Sequence, residues 1–237
     1  MRITQHGSHF WQLTRYPAVF PMNCYLVREK DGFTLIDSTM SSPADDVAKV
    51  AADLGLGLKH VVLTHAHGDH AGGVGALRSR FPGITVAIGE RDARLLTGDL
   101  SSLPGEPQAR AKGFFAKVDW APDRLLKAGD RVGSLEVVAA PGHTPGQVAF
   151  LDLRDRGLIV GDALQTRGGV AVSGVIRPLY PFPAMATWHK PTALLTAEAL
   201  RDLRPSRVAV GHGEVLADPG PALDAAIEVA RRAFRRD

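Results

Sequence analysis

Residues 60–73 read HVVLTHAHGDHAGG. Three of the nine histidines and an aspartate fall within positions 65–70. The run before them, His60-Val61-Val62-Leu63-Thr64, is short, apolar and β-branched, the pattern of a buried strand. The run after them, Ala71 to Phe81, carries the small and leucine-type residues of a helix and stops at Pro82-Gly83. His65, Ala66, His67, Gly68, Asp69 and His70 therefore occupy a turn between a strand and a helix, where a rigid scaffold often holds its chemistry. In such a turn the alternate side chains His65 and His67 can converge on one ion, while Asp69 and His70 reach a second point nearby. Imidazole and carboxylate suit zinc, and also iron or manganese.

One turn does not complete a catalytic site, and other strand ends supply partners. His143 lies in APGHTPG, residues 140–146, between expected strands at 134–140 and 147–153. Asp162 follows an expected strand at 158–161, which a tight turn joins to 147–153. A hairpin returns its second strand beside its first, so His143 and Asp162 fall at the same edge. His212 directly follows the expected strand 207–211. Each candidate ligand thus sits at a strand terminus, directed towards one rim. Asp37, Thr64 and Thr144 are candidates for fixing histidine tautomers. Tyr180 is a candidate donor to a substrate oxygen, with packing among Pro178, Pro181, Phe182 and Pro183 as the alternative.

Further strands are expected at 22–28, 33–37 and 84–88. Helices are expected at 43–54, 71–81, 90–97, within 106–118, and at 193–203 and 219–236. Ser42 would cap the first helix and Pro43 would open it. Strands joined by short turns, interleaved with helices, predict mixed sheets covered by helices, in one domain over 1–237. Residues 98–128 and 165–191 fit this scheme poorly and read as lid or pocket loops.

Composition narrows the classes. Over 237 residues, 45% apolar and 22% charged residues are ordinary for a globular chain. A formal charge of +3 does not suggest nucleic acid as a default partner. The crowded Arg231, Arg232, Arg235 and Arg236 read as a solvated helix end. Cys24, the only cysteine, allows neither an internal disulfide nor a cysteine metal cluster. No signal-peptide pattern and no long apolar stretch are present, so the expectation is a cytoplasmic protein without a membrane span.

The motifs HAHGDH, PGHTPG, VGDA and VGHG, in this order, resemble those of the metallo-β-lactamase superfamily of metal-dependent hydrolases, and the glyoxalase II and lactonase branches in particular. The resemblance covers most of the chain, including Leu35-Ile36-Asp37. It implies an α/β fold, a four-layer αββα sandwich of two mixed β-sheets with its metal site at one edge. It also implies two divalent ions, zinc first, with iron or manganese as alternatives. His65, His67 and His143 would hold the first, Asp69, His70 and His212 the second, and Asp162 would bridge them. A hydroxide between the ions would attack a small ester, lactone or thioester, with Asp69 orienting it or carrying a proton. Phosphodiester hydrolysis and mononuclear iron persulfide dioxygenation are the alternatives within the same superfamily.

Overall fold

The computed structural model describes residues 1–41 and 43–235, so Ser42 and Arg236 lie outside the described residues. Strands β1 (Arg2–Gln5), β2 (Phe10–Arg15), β3 (Met22–Arg28), β4 (Phe33–Ile36), β5 (Leu58–Leu63), β6 (Thr85–Gly89) and β7 (Arg124–Leu126) form one sheet in that order. Pairing is antiparallel from β1 to β4 and parallel from β4 to β7. There follow β8 (Arg131–Val132), β9 (Leu135–Ala139), β10 (Val148–Asp152) and β11 (Gly157–Ile159). A small hairpin of β12 (Leu164–Gln165) and β13 (Ala171–Val172) precedes β14 (Arg207–Ala209) and β15 (Leu216–Ala217). The second sheet runs β15-β14-β11-β10-β9-β8, and only its β11–β14 pair is parallel. Helices are α1 (Ala44–Asp53), α2 (Gly68–Ala71), α3 (Val74–Arg80), α4 (Glu90–Leu96), α5 (Phe182–Met185), α6 (Lys190–Asp202) and α7 (Gly220–Phe234).

Strand alternation stacks these elements in four layers. Along β3, Cys24 and Leu26 face the cluster that includes Val47 of α1 and Leu77 of α3, whereas Tyr25 and Val27 face the second sheet. Along β10, Ala149 and Leu151 meet α6 and α7, whereas Val148 and Phe150 point back at the first sheet. The arrangement is the expected αββα sandwich, with two mixed sheets.

The chain departs from expectation in identifiable places. The helix expected within 106–118 is absent. That backbone is instead consumed in pairing with the histidine turn: Gly68 N–H donates to Phe114 O at 2.8 Å and Ala116 N–H to Ala66 O at 3.1 Å. The helix expected over 71–81 is α3, shortened to Val74–Arg80, and the expected turn before it ends in a separate short helix, α2, that carries Asp69 and His70. Strands β1 and β2 occupy an N-terminal region in which no firm element was expected. At the sheet edge away from the histidine turn, His9 Nε2 lies 2.8 Å from Asp155, which also accepts from Arg207, while Arg154 holds Asp152.

Phe150 is fully buried between the sheets. Phe150→Ala should cost about 3–5 kcal/mol in urea unfolding, because two fixed sheets cannot collapse onto the void. A loss below about 1 kcal/mol would contradict the inter-sheet packing.

Candidate metal centre

Each candidate ligand leaves the end of a strand at one edge. His65 follows β5 by one residue beyond Thr64, His143 precedes β10, Asp162 stands in a tight turn after β11, and His212 follows β14. Ligand atoms of His65, His67 and His143 come within 4.8 Å of one another, as do those of Asp69, His70 and His212, and those of His65, His70 and Asp162. The seven side chains are therefore brought together. Asp162 spans the two histidine sets. Its Oδ2 is 3.5 Å from His143 Nε2 and 3.2 Å from His212 Nε2, and its Oδ1 is 3.4 Å from His70 Nε2.

Hydrogen bonds on the outer ring nitrogens fix which nitrogen faces inward. Lys112 O lies 2.8 Å from His67 Nε2, and a carbonyl can only accept, so His67 presents Nδ1. Pro21 O, 2.6 Å from His212 Nδ1, leaves Nε2 of that ring inward. Asp37 Oδ2, 2.8 Å from His70 Nδ1, does the same for His70. Thr64 Oγ1 spends its proton on Asp37, so it accepts from His65 Nδ1 at 3.0 Å. Thr187 donates to Pro183 O, Ser173 then donates to Thr187, and Ser173 Oγ accepts from His143 Nδ1 at 3.0 Å. Of the expected tautomer-fixing residues, Asp37 and Thr64 stand in this role. Thr144 does not, because its hydroxyl donates to Asp92.

These tautomers make a fit test. His65 Nε2 and His143 Nε2 stand 3.1 and 3.0 Å from His67 Nδ1, and all three atoms carry lone pairs. Facing lone pairs repel unless a cation lies among them. Tetrahedral zinc with nitrogen ligands separates those nitrogens by about 3.3 Å. In the second set, His70 Nε2 and Asp162 Oδ1 are buried without a hydrogen-bond partner. A donor set of imidazoles and carboxylates, with orphaned atoms facing inward, fits divalent metal ions.

The family model of the metallo-β-lactamase superfamily matches residues 18–212. The chain belongs to the metallo-β-lactamase superfamily. It is 47% identical to the uncharacterized protein YobT of Bacillus subtilis (strain 168), over 98% of this chain and 100% of that one. It is 33% identical to the mitochondrial persulfide dioxygenase ETHE1 of Bos taurus, over 70% of this chain and 59% of that one. A metallo-β-lactamase from Pontibacter korlensis superposes with a TM-score of 0.73 at 20% identity, over 97% of this chain and 98% of that one. That last likeness is one of fold.

Within this metallo-β-lactamase fold the two histidine sets differ electrostatically. Burial drives His65, His67 and His143 below the ordinary imidazole range, His143 to about 3, so the first set is neutral and ready to ligate. Burial acts the same way on His70 and His212, but Asp162, with Asp37 and Asp69 at His70 and with Asp69 at His212, outweighs it. His70 is held well above the ordinary range and His212 at about 10. Burial would raise Asp162 and Asp69, but His70 and His212 hold both low. Filling the second set therefore displaces protons.

A pocket of about 230 Å³ opens above the ligands. Phe114, from the irregular segment 98–128, and Phe182, Pro183 and Ala186, from 165–191, line it. Tyr180 does not. Its ring is buried and its hydroxyl lies 3.0 Å from His212 Nδ1, on the side away from the ligating nitrogen. The expectation that Tyr180 meets a substrate oxygen is corrected accordingly: it packs behind His212. His189, unassigned from sequence, caps α6 by accepting from Thr192 N–H.

Sequence reasoning missed Asp92, Ser173 and Lys112. Asp92, fully buried in the first turn of α4, accepts from Ala66 N–H at 3.0 Å, Thr144 Oγ1 at 2.7 Å and Gly146 N–H at 2.7 Å. It ties the His65–His70 turn to the His143 turn. An acid in a first helical turn reads as an ordinary dipole partner, so no sequence signal marked it.

Burial lifts the Asp92 carboxyl from 3.8 to about 6, against the hydrogen bonds from Thr144, Ala66 and Gly146. The native state then holds a proton that the unfolded chain has already released. This contribution to stability is complete below pH 3.8 and is lost as pH rises through about 6. The stability of the wild type relative to Asp92→Asn should therefore fall by about 3 kcal/mol across that window in urea titrations of metal-free protein. A pH-independent difference would refute the buried carboxyl.

At Gly113, φ is +96° and an added Cβ would stand 2.3 Å from His67 Nε2. Gly113→Ala should weaken metal binding about 10–100-fold in chelator competition by displacing that ring. Unchanged affinity would mean that this segment does not orient His67.

Proposed function

We propose that the chain is a metal-dependent hydrolase that holds two divalent ions, zinc by preference, and cleaves a small ester, lactone or thioester. The observation that carries this reading is the Asp162 carboxylate, whose two oxygens reach His143 of one histidine set and His70 and His212 of the other. The second set, Asp69, His70 and His212, is itself of a kind that holds an ion, which supports two ions over one.

Paired divalent ions supply hydroxide at neutral pH and polarise a carbonyl oxygen. The chain's own groups do the rest. Asp69 has the most exposed side chain of the seven ligands, at 19%, and lines the pocket. With Oδ2 held 3.2 Å from His212 Nε2, Asp69 is placed to take the proton of the attacking water and deliver it to the leaving group. Phe114 and Phe182 narrow the entrance and limit competing water. On this reading the chain is one domain over 1–237, and segments 98–128 and 165–191 each add a wall to the pocket, through Phe114 and through Phe182, Pro183 and Ala186.

A second reading, persulfide dioxygenation with a single iron, is favoured by the 33% identity to the persulfide dioxygenase ETHE1. The complete second ligand set speaks for the hydrolase.

The test is turnover of a lactone, a thioester, an aryl ester and a phosphodiester by zinc- and manganese-loaded protein, with metal-free protein as control. Metal-dependent cleavage of a carbonyl substrate is expected, and Asp162→Ala should lose bound metal and at least about 100-fold in kcat together. Cleavage of the phosphodiester alone would replace the reading with a phosphodiesterase. Oxygen uptake with a persulfide by iron-loaded protein, without hydrolysis, would replace it with the dioxygenase.

A further inference from the structure

The mouth of the metal pocket is built from four separate chain segments, and each contributes an apolar side chain. Phe20 comes from the turn before β3, Met40 from the loop after β4, Phe114 from the segment paired with the histidine turn, and Phe182, Pro183 and Ala186 from α5 and its end. Apart from metal ligands, no charged side chain lines it among the described residues. Met40, Phe114 and Phe182 are more than half exposed, as is Met185, one helical turn from Phe182. Large apolar groups left open around a concave site mark a ligand surface.

Their placement is fixed. The rings of Phe20, Tyr180 and Phe182 meet at centroid distances of 5.1–5.3 Å, and Phe20 also packs on His212 at 5.4 Å. Phe114 lies against the histidine turn so closely that a Cβ on Gly68 would stand 2.5 Å from its ring.

We infer that this mouth is an acyl-chain site, selecting substrates whose acyl group is an uncharged alkyl chain and disfavouring those that carry a carboxylate or phosphate there. The inference rests on the hydrolase reading for the position of the carbonyl, since the pocket floor is the ligand set itself. The occupant must therefore present its reacting group to His143, Asp162 and His212 and leave its chain among Phe20, Phe114 and Phe182. An anionic acyl group would meet no lysine or arginine in this lining and would lose its hydration without a partner. An alkyl chain loses only apolar contact with water, which favours binding.

The experiment is hydrolysis of one series of aryl esters or thioesters by metal-loaded protein, with acetyl, butyryl, hexanoyl, octanoyl and succinyl groups on a constant leaving group. kcat/KM should rise about two- to fourfold per added methylene. The succinyl compound should fall below the butyryl compound, which has the same number of carbons. Phe182→Ala and Phe114→Ala should each flatten the chain-length profile, lowering the ratio of the octanoyl to the acetyl value about tenfold, a split that misfolding would not produce. A flat chain-length profile, or preference for succinyl over butyryl, would overturn the inference while leaving the hydrolase reading intact. If neither this series nor a lactone is cleaved, the hydrolase reading fails, and calorimetric binding of alkyl methyl ketones of increasing length decides the mouth. Affinity that grows with chain length and weakens in Phe182→Ala upholds the acyl-chain site; affinity independent of length overturns it.

Discussion

A carboxylate kept out of water among imidazoles sets the terms for the rest of this structure. Asp162 is buried, and its Oδ1 has no hydrogen bond. An unpaired buried charge is among the costliest features a fold can carry, so something positive must stand within a few ångströms of it. In the protein alone that role falls to the protons on His70 and His212, and a bound cation would take it over. Either solution requires strand register to be held. Strands β11 and β14 pair in parallel with Ile159 opposite Ala209, so Asp162 and His212 each lie three residues beyond the same rung. A slip of one residue in either strand would turn its inward face outward and separate the pair.

The same constraint explains how much of the chain is devoted to the far sides of five imidazole rings. An imidazole ligates only through its unprotonated nitrogen, so each ring needs an acceptor behind it. Asp37 and Thr64 come from the ends of β4 and β5, Lys112 from an irregular strap, Ser173 from beyond the β12–β13 hairpin, and Pro21 from the turn before β3. His212 is further held from the opposite sheet. Asn23 donates to Val210 O and Gly213 O, and Tyr25 donates to Val210 O. The inter-sheet contact that buries Tyr25 is thus also the contact that places a ligand.

The sequence displayed what local pattern can display. Apolar β-branched runs gave β3 to β6, β9 to β11 and β14, and the polar residues ending those runs included all seven candidate ligands. Two kinds of feature stayed hidden. Strands of two residues, such as β8, β12 and β15, carry too little alternation to register. Residues whose role depends on a distant partner also gave no signal: Asp92 serves two turns that lie 26 and 52 residues away from it along the chain, and Lys112 acts through its carbonyl, which every residue type possesses. Tyr180 was singled out for its hydroxyl, but its position on the inner side of an aromatic cluster follows from packing with Phe20 and Phe182.

Helix α5 shows why the apolar mouth and the metal ligands cannot be treated as separate modules. Four residues are too few to be helical unaided, so α5 depends on tertiary anchors. One is the Thr187 hydroxyl, which donates to Pro183 O and accepts from Ser173, the residue that fixes the tautomer of His143. Another is Trp188, whose backbone N–H donates to His143 O and whose Nε1–H donates to Ala109 O on the segment that carries Lys112 and Phe114. The bonds that hold Phe182 at the entrance are therefore the bonds that orient His143 at the floor, and they continue to the strap behind His67. A displacement of α5 large enough to widen the mouth would have to break or carry with it the hydrogen-bond chain ending on a ligand. In this arrangement, the Phe182 wall of the pocket and the His143 ring on its floor are positioned by one continuous network.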